Sequence, residues 1–208
     1  MREGERLATA FHYTLTARTM KLLRYEDLTA SPWKNGGGVT RELACHPPGA
    51  GLDDFVWRVS IADVAASGPF SHFPGIERII MLLDGGGMHL QFENGKRHAL
   101  TEALHPYRFR GEATVHAQLA GGPSVDFNLM FRRDKAEGQV LVWRSANTLA
   151  SGFVLLHCVA GVWQVGERHL QARDTLSGEI PIGTSIQPLQ EHSALIGIHI
   201  EHHPENQC

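Results

Sequence analysis

Ser124-Val125-Asp126-Phe127-Asn128-Leu129-Met130-Phe131-Arg132 alternates almost without a break. Val125, Phe127, Leu129 and Phe131 fall on one face of an extended chain, and Asp126, Asn128, Met130 and Arg132 on the other. Phe55 to Ile61 repeats the pattern: Phe55, Trp57, Val59 and Ile61 share a face, and Arg58 and Ser60 share the opposite one. Further strands are expected at 39–45, 78–83, 87–92, 107–110, 113–119, 139–143, 153–159, 162–165 and 194–200. Gly, Pro, Asn and Asp separate them, and no long stretch keeps a 3.6-residue period. Many short strands with turns between them predict an all-β sandwich or barrel with little helix.

A weak repeat runs through these strands. Ile79–Leu83, Gly85-Gly86-Gly87 and Met88-His89-Leu90 are echoed by Phe153–Val159, Gly161 and Val162-Trp163-Gln164-Val165. Leu100–Leu104 precedes Ser124–Phe131 much as Leu170–Asp174 precedes Ser193–Ile200. An offset of about 70–75 residues fits both and suggests two related β units in tandem, chance likeness between short β segments being the alternative.

Composition narrows the function classes. The 208 residues are 42% hydrophobic and 20% charged, a globular balance. Apolar runs are far shorter than the ~18–20 residues of a membrane span, so no integral membrane helix is expected. The net charge of −3 gives no sign of a nucleic-acid surface. Thirteen histidines make the charge strongly pH-dependent below about pH 6.5. Cys45, Cys158 and Cys208 form neither a disulfide framework nor a CxxC site, and MREGERLATAFHYTLTARTM has no apolar secretory core. The expected compartment is the cytoplasm. Residues 1–19 read as an N-terminal extension before a natural start at Met20, and a frayed tail is expected from about Pro204.

Chemistry-bearing residues gather in irregular stretches. Pro32 to Glu42 holds Gly36-Gly37-Gly38, either a linker or a tight close-approach turn, with Thr40 and Glu42 on one strand face. It is no phosphate loop, because it lacks GK[ST] and leads into a strand. In Gly68 to Arg78 two Gly/Pro pairs frame Phe70 and Phe73, as a pocket wall or as a loop packed over a barrel mouth. Asp126 and Asn128 could line a barrel with Arg58 and Ser60, or lie on a solvated face. His199, Glu201 and His203 would share a strand face suited to a metal, but their nearness to the chain end favours a solvated His-rich segment. No GxSxG, HExxH or Cys/His nucleophile pair appears.

Three segments resemble the HutD/Ves family: WKNGGGVTREL at 33–43, WRVSIADVAASGPFSHFPGIERIIMLLDGGG at 57–87, and DFNLMFRR at 126–133. The likeness covers about residues 20–143 in order; the last third matches in its general β pattern. The resemblance implies a cupin (jelly-roll) fold with two barrel units in one chain: a first unit at 20–135 and a second, degenerate unit at 136–208. Cupins usually hold a metal through a His-x-His…Glu motif. The equivalent stretch here is 70–78, where Phe70 and His72 keep the spacing but one His is missing, and His157 in the second unit has no paired His. No metal and no cofactor are therefore expected.

HutD proteins are associated with histidine-utilisation operons, and Ves is a relative named for stress induction. The implied role is binding a small carboxylate of histidine breakdown, urocanate or N-formimino-glutamate, and modulating the pathway. Arg58 or Arg78 would pair with the carboxylate; Glu42, Asp126 or Asn128 would accept hydrogen bonds from its nitrogen end; Trp33, Phe70 and Phe73 would wall a flat ligand. The preferred anchor is Arg58, with Asn35, Thr40, Glu42, Ser60, Asp126 and Asn128 around it. The rival readings are a cupin isomerase or hydrolase with Glu42 or Asp126 as general base, and a stress-linked protein acting through partners. No nucleic-acid or membrane partner is expected, and a homodimer is left open.

Overall fold

The computed structural model describes residues 20–204; the expected extension at 1–19 and the end of the expected tail lie outside the described residues. Among the described residues every element but one is a strand, the exception being a single 3₁₀ turn at Tyr25–Asp27. The first eleven strands are β1 (Lys21–Leu23), β2 (Ala30–Pro32), β3 (Gly38–His46), β4 (Trp57–Val64), β5 (Gly68–Pro69), β6 (Ile76–Gly85), β7 (Met88–Phe92), β8 (Arg97–Leu100), β9 (Tyr107–Arg110), β10 (Val115–Leu119) and β11 (Ser124–Arg132). The rest are β12 (Ala136–Trp143), β13 (Asn147–Thr148), β14 (Phe153–Ala160), β15 (Val162–Val165), β16 (Arg168–Gln171), β17 (Thr175–Ile180), β18 (Ser185–Pro188) and β19 (Ala194–His202).

They form four antiparallel sheets in the orders β2-β3-β4-β11-β6-β9, β5-β10-β7-β8, β1-β17-β14-β19-β12 and β13-β18-β15-β16. The order β4-β11-β6-β9 recurs as β12-β19-β14-β17, and β5-β10-β7-β8 recurs as β13-β18-β15-β16. β1 adds to the far edge, with Lys21 opposite Ser177 and Leu23 opposite Thr175. Residues 21–23, adjacent in sequence to the first sheet pair, thus belong to the second by hydrogen bonding.

Three apolar layers hold the sheets together. Ala62, Val64, Ile80, Leu82, Met88, Leu90, Phe92, Leu100, Phe109, Val115 and Ala117 fill the space between the first six-stranded sheet and its four-stranded partner. Leu149, Phe153, Leu156, Cys158, Trp163, Leu176 and Leu195 do the same between the last two sheets. Trp57, Val59, Ile61, Phe127, Leu129 and Phe131 form the third layer, against Leu155, Ile196 and Ile198 of the five-stranded sheet. The six-stranded sheet is therefore covered on both faces. The large apolar residues of β4 and β11 face the other big sheet, which turns their polar residues into the first lumen rather than into solvent. Arg108 on β9 adds a polar link across this join, reaching Glu77 on β6 at 2.9 Å and Glu137 on β12 at 2.5 Å.

Candidate functional site

The site is built where parity points polar side chains inward. On β11 register sets Asp126 opposite Ala62 and Asn128 opposite Ser60 on β4, and opposite Leu82 and Ile80 on β6. Ser60, Arg78, Asp126 and Asn128 are all buried. Burying a charge without a close partner is costly, so the wiring of these groups decides what the site can do.

Arg78 is the least compensated. Its Nε and Nη2 both donate to Asn128 Oδ1, at 3.4 and 3.3 Å, long for a charge-assisted bond. Among the described residues no carboxylate lies within ion-pair distance of it. A guanidinium has five N–H donors, and here one oxygen serves two of them. Aromatic rings cover the cation: its central carbon lies 5.0 Å from the Phe70 ring centroid, 5.1 Å from Phe109 and 5.8 Å from Phe73. Burial lowers its pKa to about 10, the charge of Asp126 opposing that shift and Arg58 adding to it. Asp126 is 4% exposed, and its Oδ1 is buried without a hydrogen-bond partner. Burial raises its carboxyl to about 7, against the pull of Arg78 and with a contribution from Asp63.

Arg58 is wired differently. It points into the same lumen, but its Nε donates to Glu42 Oε2 at 2.7 Å and its Nη1 reaches Ser60 Oγ at 3.5 Å. A bulge between Glu42 and Ala44 on β3 sets Glu42 opposite Ser60, within reach of Arg58. The guanidinium expected to seize a ligand carboxylate already has one from its own chain, and Arg78 is the cation left without a close anion.

The glycine triplet is a close-approach turn rather than a linker. Gly36 has φ +71°, and a Cβ on Gly38 would lie 2.5 Å from the Asp63 carbonyl oxygen. Asn35 Oδ1 accepts from the Gly37 N–H at 3.0 Å, so its side chain braces the turn. Trp33 Nε1 donates to Thr40 Oγ1 at 2.8 Å while its ring packs at the edge of the first lumen. The structure thus gathers Arg78, Asn128, Asp126, Phe70 and Phe73 closely, sets Glu42, Arg58 and Ser60 beside them, and engages Asn35, Trp33 and Thr40 in building the adjacent turn.

Phe109 and Tyr107 were absent from the expected site. Phe109 covers Arg78, and Tyr107 stacks on Phe109 with centroids 6.0 Å apart. The buried Tyr107 hydroxyl has no hydrogen-bond partner. The available signal was Tyr107-Arg108-Phe109-Arg110, whose two aromatics share a strand face.

The residues do not fit the metal that a cupin fold implies. Phe70 occupies one position of the His-x-His spacing and packs over Arg78, while His72 is exposed. His157 is buried against Thr175 Oγ1 at 2.9 Å. His199 lies 2.5 Å from the Gly152 carbonyl and 3.2 Å from Glu201, while His203 donates its backbone N–H to Lys135. Among the described residues no group of three His, Cys, Asp or Glu side chains is arranged to hold a metal ion. None of their helices is long and apolar enough to cross a membrane.

The family model described as HutD matches residues 25–196. The chain is 40% identical over 153 residues to Protein Ves of Escherichia fergusonii, covering 71% of this chain and 78% of that protein. It is 41% identical over 155 residues to Protein Ves of Citrobacter koseri, covering 72% and 80%. Among solved structures it is similar to HutD from Pseudomonas fluorescens SBW25, with TM-score 0.77 and 30% identity over 89% of this chain and 100% of that one. A broader likeness reaches oxalate decarboxylase from Lactobacillus farciminis, at TM-score 0.57 and 9% identity over 85% of each chain, and concerns the cupin-like fold alone. The matched family model, the Ves relatives and the HutD structure agree, and the chain belongs to the HutD family.

Proposed function

We propose that this protein binds a small carboxylate on Arg78 in the first lumen and, as a cytoplasmic member of its family, modulates histidine utilisation. The observation that carries the reading is a buried guanidinium with one long acceptor contact and an aromatic cover. Such a cation gains most from a bidentate carboxylate. The two sheet pairs are read as tandem cupin units, 20–135 and 136–208, with β1 lent from the first to the edge of the second. Phe70 and Phe73 lie on the segment between β5 and β6, so a ligand enters by displacing the Phe70 ring from the guanidinium. Urocanate and N-formimino-glutamate both have the required carboxylate, and the planar body of urocanate suits the Phe70–Phe109 cover.

Calorimetric titration of wild type and Arg78→Met with both compounds tests this. Wild type should bind at least one of them, and Arg78→Met should lose on the order of 2–5 kcal/mol of affinity. Equal affinity in the two proteins removes Arg78 from the site, and no binding to wild type at millimolar concentration removes the ligand class. One observation favours an enzyme as a second reading: Asp126, buried and held near 7, is poised as an acid or base for proton transfer. Consumption of either compound by purified protein, lost in Asp126→Asn, would establish it.

A further inference from the structure

We propose that Asp126 is a second contact to the ligand carboxylate held on Arg78, acting as a protonated acid that donates a hydrogen bond to it, so that above neutrality a proton is taken up with the anion. The inference rests on the reading of Arg78 as carboxylate anchor and adds the proton to it. The balance is simple. An ionised Asp126, a solvent proton and a ligand carboxylate enter; a neutral Asp126 whose O–H points at the ligand, and a carboxylate on the Arg78 guanidinium, result. No covalent bond to carbon forms or breaks.

Asp126 and Asn128 are same-face neighbours on β11, and side chains so placed lie roughly 6–7 Å apart. Arg78 reaches Asn128 but stays beyond ion-pair distance of Asp126. A carboxylate seated on the guanidinium beside Asn128 has Asp126 as its next polar neighbour on the same face of β11. Asp126 Oδ1 is already buried and unpartnered, so it stands ready to make the bond.

The charged surroundings favour proton uptake over ionisation. From β6 the facing charge is Arg78, which the ligand would neutralise. From β4 come Arg58, paired with Glu42 of β3, and Asp63, a neighbouring negative charge paired with Arg41. The facing sheet presents Met88 and Leu90 from β7, Leu100 from β8 and Val115 and Ala117 from β10, all apolar, and one titratable group, His98 of β8, which lies opposite Leu90, stacks on Tyr107 with centroids 3.6 Å apart and has its pKa lowered by burial and by Lys96. β9 adds Tyr107 and Phe109. A ligand anion would thus meet an ionised Asp126 with Arg78 as the one nearby cation not already held by a carboxylate. Burial already holds the Asp126 carboxyl at about 7, so the proton is taken up at little cost near neutrality.

Acetate is the cleanest probe, because it is fully ionised throughout the range and has no second titrating group; urocanate is the second. Calorimetry at pH 8 in HEPES and in Tris should give enthalpies that differ as expected for nearly one proton taken up per acetate. Wild-type affinity should fall about tenfold per pH unit above 7. Asp126→Asn, whose amide still donates, should bind acetate with no buffer dependence and with flat affinity from pH 6 to 9. At pH 9 it should exceed wild type by about a hundredfold. Buffer-independent enthalpy with flat affinity in wild type overturns the proton role while leaving the Arg78 anchor intact. Uptake that persists in Asp126→Asn overturns it by placing the proton elsewhere. Failure of wild type to bind either probe at millimolar concentration overturns the anchor and the inference together.

Discussion

The two sheet pairs share a strand order but not a lumen. In the first, the inward face of the central strand carries Asp126 and Asn128, with Ser60 and Arg78 beside them. In the second, the inward face of β19 carries Leu195 and Gly197. Leu195 pairs with Trp143 and Cys158, and Gly197 with Leu141 and Leu156. A Cβ on Gly197 would lie 2.5 Å from the Trp143 ring, so that indole fills the space a polar side chain would need. One topology therefore supports a solvent-poor polar site and a plain apolar core. The second pair gives its apolar mass to stability, and the first keeps Arg78 and Asp126 buried without close partners of opposite charge.

The join between the pairs sets the largest expected effect. Phe127 is fully buried in the layer shared by β4, β6, β11, β14 and β19. Phe127→Ala should cost about 3–5 kcal/mol. Because both pairs lean on this layer, the loss should appear in one unfolding transition seen by fluorescence and by far-UV circular dichroism alike. Two separated transitions in wild type would show that each pair stands by its own core.

Two buried groups titrate in opposite senses. Asp126 has its native pKa raised from 3.8 to about 7, so the native state holds this proton more tightly than the unfolded chain. Its contribution is present below about pH 4 and is lost as pH rises through 7, a span of about 2–4 kcal/mol. Asp126→Asn removes that slope, so urea midpoints of variant and wild type should diverge in the variant's favour between pH 5 and 8. Parallel curves would place Asp126 in contact with water.

His157 acts the other way. It faces the layer between the pairs, opposite Ile196, and burial lowers its pKa from 6.5 to about 4, with Arg173 adding to the shift. The native state excludes this proton, so stability is present above pH 6.5 and falls by about 2–3 kcal/mol as pH drops towards 4. His157→Gln keeps a hydrogen-bonding group near Thr175 and should flatten that acid slope in urea titrations. An unchanged slope would assign acid sensitivity to other groups.

Much of this was legible in the sequence. Strict alternation at 124–132 and 55–61 located two central strands and sorted their faces. What it could not say is which face met solvent, because both are buried: the apolar one by the second sheet pair, the polar one by the first lumen. β1 and β17 escaped notice for local reasons. β1 has three residues, and Thr175-Leu176-Ser177-Gly178-Glu179-Ile180 interrupts its apolar positions with a glycine and two polar residues. Alternation set Arg58 on the polar face of its strand, and the family resemblance offered Arg58 or Arg78 as the carboxylate partner. Telling them apart required the residue across the sheet, and the bulge at 42–44 that brings Glu42 to Arg58 has no signature in a period of two.

That distinction yields the smallest predicted effect. Arg58 and Arg78 share a lumen, a sign and a residue type, and differ in their partners. Arg58→Met removes a cation whose Nε is already engaged by Glu42, a carboxylate with 39% of its side chain exposed. A partly exposed pair of this kind contributes about 0–1 kcal/mol, so the fold should lose little. Its effect on a ligand carboxylate has two opposing parts. The variant loses the distant attraction of a positive charge that Glu42 already balances, and it also relieves the repulsion that Arg58 exerts on Arg78. The parts nearly cancel, so carboxylate affinity in Arg58→Met should stay within about 1 kcal/mol of wild type. Arg78→Met, by contrast, should cost several times more. Titration of both variants with urocanate under one set of conditions gives the comparison directly. If Arg58→Met loses as much as Arg78→Met, the ligand displaces Glu42 and bridges both guanidinium groups, and the site extends from Asp126 out to β3.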